Sequence, residues 1–410
     1  MDFCPVSYQN THTFLPKTTV SRPYFLLNIV NSQQKTSLFD EFIFASLTSL
    51  PYQPASGATL HIGAILRYPL FFSGMASDIR DKFGPDQIPT LNSARAADDR
   101  GTEKQRGRLR STVEYSAARA LLALVGLLPR RGLLRICELL GVVGYALLPG
   151  LRRTGLRNLE MAFPDRSDLE RREILRKSFQ NLGRGLAVFS KFSKVEIEEL
   201  RNSIDCVGIE NLERAVAKGN GIILFTGHLG SWEFCSFGLA LLGYPCTFVV
   251  RRIDNPAVER LVDRTRSRFG NCSLDKKTGI RKLFRTLRSN QTVGILVDVN
   301  MIGNEGIFTD FFGIPASTTF MPARLSLSTG AILVPVFAPW DEEKRRYVLQ
   351  VGPALEFEST DNLQADVERV TAMVTNTVEK YVRQFPGQWL WIHKRWKTRP
   401  LGEQDPYSRR

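Results

Sequence analysis

Histidine is scarce in this chain: only His12, His61, His228 and His393 occur in 410 residues. Cysteine is thin as well. Cys4, Cys137, Cys206, Cys235, Cys246 and Cys272 make no C-x-x-C pair and no Cys/His cluster at zinc spacing. That excludes a zinc ribbon or finger and argues against a disulfide framework. The cysteines read as free buried thiols of a reducing compartment, and no metal site is expected. No stretch of ~20 uninterrupted apolar residues occurs, so a standard membrane-spanning helix is not indicated. The start lacks the charged region and small-residue cleavage site of a signal peptide. Ser231 lies outside any G-x-S-x-G elbow, and Gly221, Gly227 and Gly230 make no dinucleotide fingerprint. Helix-turn-helix spacing, RNP aromatics and solenoid repeats are missing too, so nucleic acid is not an expected partner.

What is present is positive charge. The net charge is +14, and the hydrophobic fraction of 43% is enough for a full core. Such a balance points to an anionic partner, an acidic protein or an anionic membrane surface. The charge is not evenly spread. Residues 1–106 hold ten basic against nine acidic side chains, so nearly all the excess lies downstream. That segment lacks sustained periodicity. It is expected to be an N-terminal extension, disordered or belonging to a start assigned too far upstream, with Met75 as the alternative start.

Residues 107–157 form an apolar helical segment. EYSAARALLALVGLL is interrupted at Pro129-Arg130-Arg131, and GLLRICELLGVVGYALL follows. Arg106, Arg108 and Arg110 precede it, and Arg152, Arg153 and Arg157 follow. Apolar helices with arginine flanks suit a shallow hairpin on anionic lipid. Residues 158–400 then read as the working domain, with 401–410 as a tail. Helical patterning with Ser167 as N-cap gives way to alternating strand and helix signals. Strands are predicted at Ile222–Phe225, Cys246–Val250, Val293–Val297, Ile332–Phe337 and Tyr347–Val351. Helices are predicted at 232–242, 256–269, 277–289 and 319–329, and one long helix at Asp361–Phe385. Segments 307–312 and 347–357 are expected as antiparallel edges. The fold class is therefore α/β: a layered domain with a mixed, largely parallel sheet flanked by helices, preceded by apolar membrane-associating helices.

The stretch GIILFTGHLGSWE, Gly221–Glu233, carries the chemistry. A buried strand runs into a polar turn holding His228, and Ser231 caps the next helix. Within one regular helix, five residues turn about 140°, so His228 and Glu233 would not share a face. They meet only if Glu233 folds back across the turn at Gly227 and Gly230. A carboxylate on one ring nitrogen would then fix the tautomer, leaving the other to take a proton from a hydroxyl. On spacing alone, a capping histidine and a helix-dipole glutamate fit equally well.

GHLGSWE resembles the H-x-x-x-x-D/E motif of the glycerolipid acyltransferases. With it stand NLEMAFPDRS (158–167), VVRRIDNPAVERL (249–261), FFGIPASTTFMPARLSLSTGAILVPVF (311–337) and QWLWIHKRWKTRP (388–400). Over about 108–400 the chain resembles the bacterial lipid A biosynthesis lauroyl/myristoyl (late) acyltransferase family. The resemblance implies acyl transfer from acyl carrier protein to a glycolipid hydroxyl, with His228 as general base and Glu233 as its partner. The acyl thioester is then a co-substrate, and no cofactor is implied. An arginine near the acyl carbonyl is implied as well, with Arg264, Arg266 and Arg268 competing and Arg266 favoured. Arg251 and Arg252 suit sugar phosphates or the carrier's phosphopantetheine. Asp298 ends a core strand where the family often has Asp-Gln. Here Asp298-Val299-Asn300 lacks the Gln and offers Asn300 in its place, and Asp298 fits a turn cap as well as a substrate contact. Phe308, Phe311, Phe312 and Phe320 read as core before acyl-pocket lining. Trp389, Trp391 and Trp396, interleaved with His393, Lys394, Arg395 and Lys397, are expected at a membrane boundary, with His393 structural. The implied location is the inner membrane, catalytic domain on the cytoplasmic face. Two other readings stay open: acylation of another glycolipid such as a mannosylated phosphatidylinositol, and a non-catalytic lipid-binding protein.

Overall fold

A computed structural model of the chain describes residues 128–192, 197–202, 204–250, 255–275 and 279–408, with Thr112, Tyr115, Ser116 and Arg119. The expected extension 1–106, the start at Met75, most of the first apolar half-helix, and Arg251 and Arg252 lie outside the described residues. In chain order the helices are α1 (Arg130–Leu147), α2 (Pro149–Ala162), α3 (Asp168–Phe192), α4 (Ile197–Asn202), α5 (Ile209–Ala217), α6 (Trp232–Leu241), α7 (Pro256–Arg266), α8 (Ile280–Arg288), α9 (Met321–Thr329) and α10 (Leu363–Gln384). The strands are β1 (Asp205–Val207), β2 (Ile222–Thr226), β3 (Thr247–Val250), β4 (Cys272–Asp275), β5 (Thr292–Leu296), β6 (Gly306–Phe311), β7 (Ile314–Thr319), β8 (Ile332–Phe337), β9 (Trp340–Asp341) and β10 (Arg346–Val351).

The main sheet runs β1-β10-β8-β2-β5-β3-β4, with β9 paired to β10. β8, β2, β5, β3 and β4 are parallel. β10 is antiparallel to β8 and parallel to β1. This is the expected mixed, largely parallel sheet. β2 lies at its centre because IILF is apolar at every position. Ile223 and Phe225 enter one core, and Ile222 and Leu224 the other, the pattern of a strand covered on both faces.

Three details differ from the sequence reading. β1 and β4 are too short and polar to have shown a strand pattern. Residues 307–312 do not edge the main sheet but pair with β7 in a separate hairpin. β10 is an interior strand, since β1 pairs beyond it.

α1 packs on α3 through Leu133, Leu134 and Cys137, and Glu138 pairs with Arg184 at 2.7 Å. Its other side stays open: Ile136, Leu139, Val143 and Leu147 are 41–69% exposed along one stripe. Among the described residues no single helix is long and apolar enough to cross a membrane. α1 and α2 together have the composition but bend by 89°.

After α10 the chain forms an irregular strap, residues 386–398, across the end of the sheet. The expectation of a tryptophan-rich membrane boundary is wrong here. Trp389, Trp391, Trp396 and Arg395 are each at most 1% exposed, within the core that also holds Phe311 and Phe312. Irregular buried backbone needs partners from elsewhere. Ser178 donates to the Trp389 carbonyl at 2.5 Å, and Asn158 donates to those of Trp391 (2.6 Å) and His393 (2.5 Å). His393 is structural, as expected: its Nε2 accepts from the Asn300 N–H at 3.0 Å.

That contact requires a neutral ring. Burial, reinforced by the Arg395 charge, lowers the His393 pKa to about 3. A histidine whose pKa is depressed on folding destabilises as pH falls from its unfolded value of ~6.5, because only the unfolded chain takes up the proton. Asp298, described below, loses its own contribution only under more acid conditions, so the two windows separate. Between pH 7 and 5, His393 is expected to cost about 2 kcal/mol of stability. His393→Gln keeps an acceptor for Asn300 and removes that loss. Urea unfolding at the two pH values checks it, and equal pH dependence in both proteins would refute a neutral His393.

Candidate active site

β2 delivers its carboxyl end to the turn Gly227–Ser231. Two glycines make the turn possible. A Cβ on Gly227 would sit 2.9 Å from Asp298 Oδ2, and one on Gly230, at φ +64°, would sit 1.9 Å from the Ala338 carbonyl. The backbone is held on every side. Leu390 N–H donates to the His228 carbonyl (3.0 Å), Gly230 N–H to Gln388 (3.0 Å) and Ser231 N–H to Ala338 (2.9 Å). Ser231 caps α6 as expected, accepting from Phe234 N–H at 3.3 Å.

His228 is 2% exposed. Its Nδ1 lies 2.8 Å from Asp298 Oδ1, and its backbone N–H donates to Oδ2 at 2.7 Å. Trp389 Nε1–H, from the strap, donates to the same Oδ2 at 2.7 Å. Asp298 reaches the ring because β5 is β2's neighbour, with Thr226 paired to Leu296. Burial alone would raise the Asp298 pKa. The facing imidazole and the hydrogen bonds donated by His228 and Trp389 outweigh it and hold the carboxyl down at about 2. An ionised carboxylate only accepts, so Nδ1 carries the proton and Nε2 is the ring's basic position. The Trp232 ring packs edge-on against the imidazole, centroids 4.8 Å apart.

The carboxylate in contact with the ring is thus Asp298, where the sequence suggested Glu233. No hydrogen bond joins Glu233 to the ring. Both its oxygens are taken by Arg266, through Nε at 3.1 Å and through Nη2. The physical reason is position: Glu233 lies in the first turn of α6 and turns toward α7. Arg266 is nearly buried, is paired with Glu233 and lines the cavity described next. Arg268 donates to the Phe192 carbonyl at 2.5 Å and lies over Phe269, and Arg264 is exposed. Asn300 does not face the dyad. Its amide exchanges two 2.9 Å hydrogen bonds with Thr398.

Beside the turn lies a cavity of about 120 Å³ between α6 and the sheet. Leu224, Leu239, Phe248, Val250, Leu296 and Val336 make its apolar wall, and Thr226, Trp232, Glu233 and Arg266 its polar end. Burial pushes the Cys235 and Cys246 thiols on this wall up to about 12, so they are protonated and inert. Gly294, in the middle of β5, also faces it. Of the phenylalanines named from sequence, none lines it, and Phe311 and Phe312 are core.

A buried histidine with its Nδ1 on an ionised aspartate, at the carboxyl end of a parallel strand and beside an apolar cavity, is equipped to deprotonate a hydroxyl next to a lipid tail. Comparison with known proteins agrees in kind. Residues 102–398 match the family described as bacterial lipid A biosynthesis acyltransferase, and the chain belongs to that family and is an acyltransferase. The lipid A biosynthesis myristoyltransferase of Escherichia coli K12 is 27% identical over 259 residues, 63% of this chain and 79% of that protein. The lauroyltransferase of the same organism is 29% identical over 254 residues, 61% and 80%. A lipid A biosynthesis acyltransferase of Haemophilus influenzae is 26% identical over 248 residues, 60% and 76%. Among solved structures, the 1-acyl-sn-glycerophosphate acyltransferase of Thermotoga maritima superposes with a TM-score of 0.30 at 14% identity, covering 64% of this chain and 99% of that one.

The geometry separates the two carboxylates by experiment. Asp298→Asn removes the negative charge and replaces one accepting oxygen by a donating NH2, so it no longer fixes the ring tautomer, and it is expected to lower kcat on the order of a thousand-fold or more. Glu233→Gln leaves the His228–Asp298 contact in place and is expected to lose much less. Steady-state acyl transfer by both variants decides it, and an equal or larger loss at Glu233 would return the orienting role there.

Proposed function

We propose that the chain transfers a fatty acyl group from acyl carrier protein to a hydroxyl of a lipid A precursor, with His228 as general base. The observation that carries this reading is His228 Nδ1 held by buried Asp298 beside an apolar cavity. His228 Nε2 takes the proton of the acceptor hydroxyl as its oxygen bonds to the acyl carbon. The tetrahedral intermediate collapses, the C–S bond breaks, and the leaving thiolate takes the proton back from Nε2. Asp298 stays ionised throughout and stabilises the imidazolium that forms in between. The names of the relatives support a lipid A acceptor and a saturated or unsaturated fatty chain as donor. Arg251 and Arg252 follow β3 in the sequence, and charge alone assigns them to phosphate contacts.

The exposed apolar stripe of α1 supports a membrane-surface location. Arg130 and Arg131 stand at its start, and Arg152 and Arg153 just past its end. Apolar side chains between cationic ends match an anionic bilayer surface, where the acceptor resides. The reading places the domain on the cytoplasmic face of the inner membrane, within reach of an acidic carrier.

Purified full-length protein with labelled acyl carrier protein and a tetra-acylated disaccharide tests the reaction. Wild type is expected to form penta-acylated product, and His228→Ala to lose at least about a hundred-fold in rate. Equal rates would sink the general-base reading, and product with a mannosylated acceptor alone would reassign the substrate.

The cavity makes a second expectation. A Cβ on Gly294 meets Cys246 Sγ at 3.5 Å and Phe248 Cβ at 3.7 Å, which is ordinary contact, so larger side chains extend into the open space. If that space takes the acyl tail, Gly294→Leu shifts donor preference toward shorter chains in a competition between chain lengths. An unchanged preference in a folded variant would mean the tail binds elsewhere.

A further inference from the structure

α8 concentrates positive charge on one face. Its sequence, IRKLFRTLR, holds Arg281, Lys282, Arg285 and Arg288 and no acidic residue. At about 100° per residue, these four fall within roughly 120° of one another around the axis. Leu283 and Leu287 point the other way and are buried, and all four cations are exposed. Several surface arginines of the other helices sit three or four residues from a carboxylate that pairs with them: Arg157 with Glu160, Arg176 with Glu173, Arg201 with Glu198 and Arg383 with Glu379. α8 offers no such carboxylate, and among the described residues none pairs with Lys282, Arg285 or Arg288.

Helix stability does not account for this pattern. Arg281 and Arg285 are like charges four residues apart, and Lys282, Arg285 and Arg288 follow at intervals of three, spacings at which like charges destabilise a helix. Arg281 and Lys282 also stand in the first turn, where the helix dipole disfavours cations. Only Arg285 and Arg288, in the last turn, are favoured by it. A face of one sign, kept against these local preferences, is complementary to an anionic surface.

The proposed reaction involves two anionic surfaces, the bilayer and the carrier, and the fold separates them. β4 and β5 are both parallel to β3, which lies between them, and α8 is their crossover. α8 therefore runs opposite to the strands, and its first turn lies at their carboxyl end, the end that carries the His228 turn. Leu283 and Leu287 join the core on the Ile223 and Phe225 side of β2. α1, with the exposed apolar stripe, joins the core on the Ile222 and Leu224 side. The cations of α8 and the stripe of α1 thus belong to opposite faces of the sheet. The α8 face also lacks an exposed apolar side chain to insert into lipid, since Phe284 packs against the core.

We propose that the cationic face of α8 is the docking surface for the acidic side of acyl carrier protein. A carrier held there presents its thioester arm at the carboxyl edge of the sheet, where His228 lies. Contact through exposed charge alone speeds encounter and leaves dissociation easy, which suits a partner that must depart after each transfer. The inference rests on the carrier being the acyl donor, as proposed above.

The test combines Lys282→Glu, Arg285→Glu and Arg288→Glu in the full chain, which reverses the face and leaves Leu283 and Leu287 in place. With labelled acyl carrier protein and the disaccharide acceptor, the KM for the carrier is expected to rise on the order of ten-fold or more, with kcat and the KM for the acceptor unchanged. Added salt is expected to raise the wild-type KM for the carrier and to affect the variant less. The corresponding triple alanine variant is expected to show a smaller rise, and serves if the reversal does not fold, which circular dichroism checks. A carrier KM equal to wild type in a folded variant would overturn the inference, and so would an equal rise in the acceptor KM. Lost binding to phosphatidylglycerol vesicles with an unchanged carrier KM would assign the face to lipid instead. If wild type itself takes no acyl group from the carrier, the donor reading fails and this inference with it, a result distinct from wild-type transfer with an unaffected variant.

Discussion

Asp298 is 3% exposed and ionised, and it accepts hydrogen bonds from three donors carried by two other parts of the chain. The His228 ring and backbone come from the turn after β2, and the Trp389 indole from the strap. Desolvating a carboxylate costs several kcal/mol, and only a full set of charge-assisted hydrogen bonds offsets it. The consequence is mutual. The turn, the end of β5 and the strap can each be where they are only if the other two are. Gly227 fits the same constraint, since any side chain there would collide with Asp298.

The strap depends in turn on helices far from it in sequence. α2 and α3 contribute Asn158, Ser178 and Asn181, whose side chains bind carbonyls of Trp391, His393, Trp389 and Gly230. These residues are almost wholly buried and polar, which is affordable only when each polar group is matched. The helices that precede the sheet thereby fix the backbone that presents the tryptophan to Asp298. The stretch NLEMAFPDRS and the stretch QWLWIHKRWKTRP meet in space through this contact.

Much of this was legible in the sequence, and the rest was hidden for identifiable reasons. The strand, turn and helix at Gly221–Glu233 follow from an apolar run, two glycines and a serine cap, and the structure forms them there. The largely parallel sheet follows from alternating periods. The partner of His228 did not follow, because strand order is a three-dimensional fact. Glu233 is five residues from His228 and Asp298 is seventy, yet β5 lies next to β2 while α6 turns its first-turn carboxylate toward α7. Asp298 had a visible signal as a polar residue ending an apolar strand, but the same signal marks a turn cap. The strap misled for another reason. Alternating tryptophans and cations suit a membrane boundary by composition, and nothing local reveals that Asn158 and Ser178 are waiting to satisfy their backbone. Arg395 looked like one cation of several for the same reason.

An apolar chain and a proton transfer, as proposed for this site, place opposed demands on it. The tail needs a dry wall, and the base needs fixed charges, whose interactions strengthen as water is excluded. The structure meets both by keeping charge near the cavity in balanced sets. Glu233 and Arg266 neutralise one another at its polar end. Asp298, beside the histidine, has its charge met by three hydrogen bonds. Cys235 and Cys246, the groups on the wall that could add a charge, are held protonated by the same dryness. In the proposed reaction His228 is the group whose charge changes when a hydroxyl gives up its proton. A low dielectric makes that change sensitive to every charge nearby.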